Sequence, residues 1–132
     1  MSREKLRNSL ENLGRAVARL KEAVTQPDDN PLLVDGTIQR FEFVWEVVWK
    51  TLKRALVEEG IETRTPREAL EGAYQAGWLR DEVVWLAMMK DRNDTSHAYD
   101  EAMARKICER IRERYFPELR RCHSFLQERF GP

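Results

Sequence analysis

The chain has 132 residues, which suits a single domain spanning 1–132. Its 23 Lys and Arg residues balance 23 Asp and Glu residues, which argues against a protein that coats nucleic acid through excess positive charge. No apolar run approaches the ~18–20 residues that a membrane span needs, and the charged start does not resemble a signal peptide. We therefore expect a cytoplasmic protein that has no membrane association.

Two cysteines, Cys108 and Cys122, are too few for a disulfide framework. On one straight helix they would lie about 21 Å apart, at ~1.5 Å per residue, which is too far for a bridge. Neither His97 nor His123 has a Cys/His cluster near it, so the sequence predicts no metal site and no cofactor.

Apolar residues recur every three or four positions in the first half of the chain, which predicts two long helices. The first is expected over 3–25, and a loop over 26–31 follows it. The second is expected from residue 33 or 35 to 59, with Gly60 as its C-terminal stop. The predicted core stripes are Leu6, Leu10, Leu13, Val17, Leu20 and Val24, then Ile38, Phe41, Trp45, Val48, Leu52 and Leu56.

The second helix is apolar over more than one face, because Phe43, Val44, Val47 and Trp49 widen its stripe. Such a helix is either central in a bundle or covered by another subunit. Trp45 and Trp49, four residues apart, are either a stacking platform for bases or part of the core or of a subunit interface.

The second half of the sequence predicts three more helices. The capping box 65–68 (TPRE) opens a short helix that ends near Gly77. A fourth helix is expected over 81–91, and a last one runs from about residue 100 to 129, kinked or restarted at Pro117. The prediction is an all-α, antiparallel up-and-down bundle of four to five helices.

A polar break over 90–100 separates the last two predicted helices and concentrates Arg92, His97 and Tyr99. Histidine can move a proton and arginine can neutralise a phosphate, so the pair could cleave a phosphodiester without metal. On a continuous helix Arg92 and His97 would lie ~140° apart, whereas a helix break between them would let them converge. The alternative is a structural loop in which residues 93–96 cap the last helix and Arg92 pairs with a carboxylate.

These residues resemble the HEPN domain, in particular the group that is paired with a minimal nucleotidyltransferase. Residues 92–99 (RNDTSHAY) fit its RxxxxHxY motif with no departure at Arg, His or Tyr. The segments 39–46 (QRFEFVWE) and 49–53 (WKTLK) resemble the family's second helix. The resemblance also includes 65–68, 76–77 and 99–101, and extends over roughly residues 10–117.

The resemblance implies a homodimer in which two copies of the motif face each other. It makes Arg92 and His97 the candidate catalytic pair of a ribonuclease, with Asn93 and Glu42 in supporting roles. It makes Tyr99 the residue that a partner nucleotidyltransferase modifies with AMP. Phosphate added there would tie up Arg92 and block RNA.

Three interpretations remain open from the sequence. The protein is a ribonuclease toxin silenced by its nucleotidyltransferase partner, a non-catalytic substrate-binding subunit of that partner, or a purely structural helical dimer. The basic last helix, with eight basic and five acidic residues over 101–132, offers a local surface for RNA despite the neutral total.

Overall fold

The computed structural model describes residues 2–27 and 30–132. Within these residues the chain forms five helices and no strand, which confirms the all-α prediction. The last helix contains a π-helical turn and is described in three segments. The elements are α1 (Ser2–Val24), α2 (Pro31–Glu58), α3 (Pro66–Gln75), α4 (Glu82–Thr95), α5 (Glu101–Arg110), the π-turn (Ile111–Tyr115) and α6 (Phe116–Phe130).

Contacts at the two ends of α1 and α2 show that these helices are antiparallel. Arg54, late in α2, donates to the Ser9 hydroxyl early in α1. Arg40, early in α2, donates to the Arg19 carbonyl late in α1 at 2.6 Å.

The remaining helices complete an up-and-down bundle. The Cys108 thiol donates to the Val34 carbonyl, and Arg129 pairs with Glu59, so the last helix runs parallel to α2. Arg80, just before α4, pairs with Glu118 of α6, whereas Asp91 near the end of α4 pairs with Arg110 of α5. Helix α4 therefore runs antiparallel to the last helix and to α2, as the sequence predicts.

Helix α2 lies at the centre and contacts all the other helices. Both predicted core stripes are buried, with each side chain at most 9% exposed. Trp45 is 2% exposed and Trp49 is half-buried, so the two cannot form a platform for bases. Phe43 is 57% exposed on the outer face of α2.

Helix α2 begins at Pro31, earlier than predicted, because the Asn30 side chain caps it by accepting from the Leu32 N–H at 2.8 Å. Its end is as predicted, since Gly60 adopts φ 77°. Asp28 and Asp29 of the predicted loop lie outside the described residues.

The capping box of α3 is confirmed. The Thr65 hydroxyl accepts from the Glu68 N–H at 3.1 Å, and the Glu68 carboxylate accepts from the Arg64 N–H at 2.8 Å. The first bond satisfies an amide that the first turn of a helix leaves without a partner, and the second fixes the residue just before the cap.

The last helix passes Pro117 without a break, and the predicted disturbance takes the form of the π-turn just before it. Cys108 and Cys122 are buried and form no disulfide, as predicted. Burial raises the pKa of the Cys122 thiol to about 12. None of the helices in the described residues combines the length and apolarity that crossing a bilayer requires.

Candidate active site

Helix α4 ends at Thr95, four residues beyond the predicted end at Asp91. The N–H groups of Ser96 and His97 still bond back to carbonyls three residues earlier, each at 3.2 Å. Arg92 and Asn93 therefore lie in the last turn of a helix and not in a loop.

The expectation that residues 93–96 cap the last helix is also wrong. Asp100 is the cap, since its carboxylate accepts from the Met103 N–H at 2.8 Å. The Ser96 hydroxyl instead donates back to the Asn93 carbonyl of its own helix at 2.6 Å, and the Thr95 hydroxyl oxygen lies 2.9 Å from the Arg92 carbonyl.

The Arg92 guanidinium faces two carboxylates of α2. One terminal nitrogen lies 3.6 Å from Glu42 and the other lies 3.9 Å from Glu46. Both distances exceed those of hydrogen bonds. The Nε–H is buried and has no partner among the described residues. Arg92 is thus paired electrostatically, while its hydrogen-bonding capacity is largely unused.

Thr95, which the sequence did not single out, holds Glu42 in place. Its hydroxyl donates to the Glu42 carboxylate at 2.7 Å, and its side chain is buried. The residue lies inside the RxxxxHxY motif, but local capping is the usual role of a threonine at a helix end, so sequence reasoning assigned it that role.

His97 and Asn93 are both exposed. No hydrogen bond joins His97 to Arg92 within the described part of the chain. His97 lies two residues beyond the end of α4, and its N–H bonds to the Asp94 carbonyl. The helix therefore ends between Arg92 and His97.

Near its end, the inner side of α4 carries the buried carboxylate of Asp91, which the sequence analysis did not identify. Asp91 is 5% exposed and accepts two hydrogen bonds from Arg110, at 2.7 and 2.9 Å. The Tyr115 hydroxyl donates to the same carboxylate at 2.5 Å. The hydrogen bond to Asp91 raises the pKa of Arg110, and burial, followed by the bond to Asp91, raises the pKa of Tyr115.

Tyr99 is half-buried beside an open cavity of about 270 Å³ between the starts of α2 and α5. Burial raises the pKa of its phenol, and the negative charges of Asp35 and Glu42 raise it further. The hydroxyl is therefore protonated at neutral pH. Glu42, which lies beside Arg92, thus also acts electrostatically on Tyr99.

His123, the second histidine, lies outside this region. It is half-buried on α6, and its ring packs against Gly14 of α1, where a Cβ would come within 3.0 Å of the imidazole. Burial lowers its pKa. Among the described residues, no group of three or more His, Cys, Asp or Glu side chains is placed to hold a metal ion.

The sequence and fold are similar to those of known proteins. The family model described as "Nucleotidyltransferase substrate binding protein like" matches residues 8–128. A curated protein of Haemophilus influenzae named "Probable ribonuclease HepT" is 36% identical over 84 residues, which are 60% of this chain and 58% of that protein. A crystal structure of a protein from Thermus thermophilus superposes with a TM-score of 0.76 at 35% identity, covering 91% of this chain and 99% of that one.

Proposed function

The chain belongs to the nucleotidyltransferase substrate-binding family of HEPN proteins, and from that premise we propose that it is the toxin of a two-component toxin–antitoxin system. In this proposal it is a metal-independent ribonuclease, and Arg92 and His97 act on RNA. A partner minimal nucleotidyltransferase silences it by transferring AMP to Tyr99.

The observation that carries the proposal is the state of the Arg92 guanidinium. It is fixed at the end of α4, yet its two carboxylate neighbours lie beyond hydrogen-bond distance. A phosphate can therefore take up its donors in a two-pronged contact. The relative named as a probable ribonuclease supports the same assignment.

The chemistry needs one base, one acid and a site for negative charge. The ribose 2′-oxygen attacks the adjacent phosphorus, the bond from phosphorus to the 5′-oxygen breaks, and a 2′,3′-cyclic phosphate and a 5′-hydroxyl result. His97 either takes the proton of the 2′-hydroxyl or delivers a proton to the leaving 5′-oxygen, and solvent water carries out the other transfer. Arg92 stabilises the charge on the phosphorus oxygens, and Asn93 helps to orient Arg92 and His97.

The proposed active unit is a homodimer, as the resemblance to the HEPN domain implies. Phe43 is exposed beside an open groove of about 600 Å³ between α1 and α2, and a Cβ on Gly36 would meet nothing within 4 Å. Phe43 and Gly36 are two turns apart on the same face of α2. A twofold axis near Gln39 would therefore insert each Phe43 into the groove at Gly36 of the other copy.

This interface is tested by Phe43→Glu, which places a charge in the centre of the contact. Sedimentation should show a dimer for the wild type and a monomer for the variant, with unchanged helix content. The matched control is Leu32→Glu, which adds the same charge to an exposed residue at the start of α2. A monomeric wild type, or a variant that still dimerises, would contradict this arrangement.

Modification of Tyr99 has a physical consequence at this position. The phosphate of AMP would be repelled by Asp35 and Glu42 and attracted to Arg92, which shares Glu42 as a neighbour. A bound AMP would then occupy the guanidinium that RNA needs.

The family description supports a second candidate function, that of a non-catalytic subunit that presents a substrate to the nucleotidyltransferase. This candidate predicts a stable complex with the partner and no cleavage of RNA by the free dimer. It needs Tyr99 and the surface around it, but not His97.

One experiment separates the two candidates. The chain is purified alone and after co-expression with its nucleotidyltransferase, and RNA cleavage in EDTA and the protein mass are both measured. We expect cleavage by the unmodified chain, loss of cleavage in His97→Ala and retention in His123→Ala. Co-expression should add AMP to Tyr99 and stop cleavage. Intact RNA with the unmodified wild type would contradict the ribonuclease and favour the binding subunit.

A further inference from the structure

A polar cluster that is centred on the buried Asp91 carboxylate lies on the inner side of α4. It consists of Asp91, Arg110 and Tyr115, which we call the anchor cluster. We infer that the anchor cluster is a positioning unit for Arg92: it fixes the last turn of α4 against α2 so that the guanidinium is held where substrate phosphate binds. This inference rests on the proposed function.

The contacts of Tyr115 link the two helices that carry Arg92 and its carboxylate neighbours. Its hydroxyl donates to Asp91, and its ring stacks on Phe41 with centroids 5.6 Å apart and planes 23° apart. Asp91 directly precedes Arg92, and Phe41 directly precedes Glu42. Because Arg92 and Glu42 are themselves partners, the ring of Tyr115 sets the spacing at which they meet.

The π-turn makes this arrangement possible. On a regular α-helix two residues five positions apart, such as Arg110 and Tyr115, would lie about 140° apart. The wider π-turn, in which the Phe116 N–H bonds to the Ile111 carbonyl, brings residues five apart toward the same side. Arg110 and Tyr115 can therefore reach the same carboxylate. Such turns are frequent at functional sites, and here the turn serves a residue on another helix.

Arg92 depends on this support because its own contacts are loose. Its ion pairs of 3.6 and 3.9 Å do not fix the orientation of the guanidinium. The direction of the Arg92 side chain is set by the backbone of α4. Asp91 holds this backbone in place through the three hydrogen bonds that its carboxylate accepts. Weakening the anchor should thus lower the stabilisation of the transition state more than the binding of RNA.

The test uses Tyr115→Phe, which removes the hydroxyl and keeps the ring on Phe41. The matched control is Thr51→Val on α2, which also removes one buried hydroxyl, bonded to the Val47 carbonyl at 2.7 Å. We expect kcat for RNA cleavage to fall about tenfold in Tyr115→Phe with KM unchanged, since one hydrogen bond to a charged group is at stake. We expect Thr51→Val to leave kcat unchanged.

A mutant cycle shows whether the effect passes through Arg92. In an Arg92→Lys background, which retains a charge but not the two-pronged contact, Tyr115→Phe should cause little further loss of kcat. A tenfold loss in both backgrounds would overturn the inference, because the hydroxyl would then act independently of the guanidinium.

If the wild type cleaves no RNA, the proposed function is overturned but the positioning role is not. A second measurement then tests that role without RNA cleavage. Hydrogen exchange of the Thr95 amide, in the last turn of α4, should be at least tenfold faster in Tyr115→Phe than in Thr51→Val. Equal exchange in the two variants would overturn the positioning role whether or not the protein is a nuclease.

Discussion

Two consecutive residues near the end of α4, Asp91 and Arg92, each belong to an arginine–carboxylate pair, and the two pairs differ in burial and in hydrogen bonding. Asp91 is buried and receives two hydrogen bonds from Arg110 at 2.7 and 2.9 Å. Arg92 lies 3.6 and 3.9 Å from two carboxylates, and its Nε–H has no partner in the described part of the chain. The first pair is complete within the protein, whereas the second retains donors for a ligand. Two adjacent residues of α4 thus belong to a structural pair and to a candidate binding pair.

The largest effect on stability should come from loss of the Asp91–Arg110 pair. Asp91→Ala leaves Arg110 and Tyr115 without their shared acceptor, so the free energy of unfolding should fall by about 3 kcal/mol. The matched control is Asp94→Ala, which removes only a surface pair with Lys90 and should cost about 0.5 kcal/mol or less. Urea denaturation of both variants measures the difference. A similar small loss in both would show that the buried pair is not the stronger one.

A smaller effect, on the affinity for RNA, should come from loss of the Arg92–Glu46 pair. Glu46 competes with phosphate for Arg92 from 3.9 Å, and Glu46→Gln removes the competing charge. RNA should then bind about two- to fivefold more tightly at low salt, and the free energy of unfolding should change little, because an ion pair at 3.9 Å between partly exposed side chains contributes about 1 kcal/mol or less. Glu11→Gln, the same change on the exposed face of α1, is the control. Equal gains in both variants would mean that only net charge matters.

The fold was largely predictable because one physical signal dominates it. Apolar spacing located the core stripes of α1 and α2, and the capping box and Gly60 located helix ends. The end of α4 was mispredicted because Thr95, whose residue type favours helix ends, remains helical. Its hydroxyl gains a bond to Glu42, which lies 53 residues away in sequence. Local propensity cannot register such a tertiary contact.

The candidate site was predictable only in part. The motif resemblance identified Arg92 and His97, and the structure places Glu42 beside Arg92. The resemblance could not identify the anchor cluster, because Arg110 and Tyr115 lie 19 and 24 residues beyond Asp91 in the sequence. They converge on Asp91 only through the π-turn. In a chain with 23 acidic and 23 basic residues, charge alone does not show which residues pair.

The most direct measurement of the central claim is made on Arg92→Ala, with unfolding free energy and RNA cleavage rate determined on the same sample. Because the Arg92 ion pairs are loose, we predict a change in unfolding free energy of about 0.5 kcal/mol or less. Because its donors serve the phosphate, we predict a loss of cleavage of at least about a hundredfold. Unfolding of the variant, or cleavage at the wild-type rate, would contradict the distinction between the two pairs.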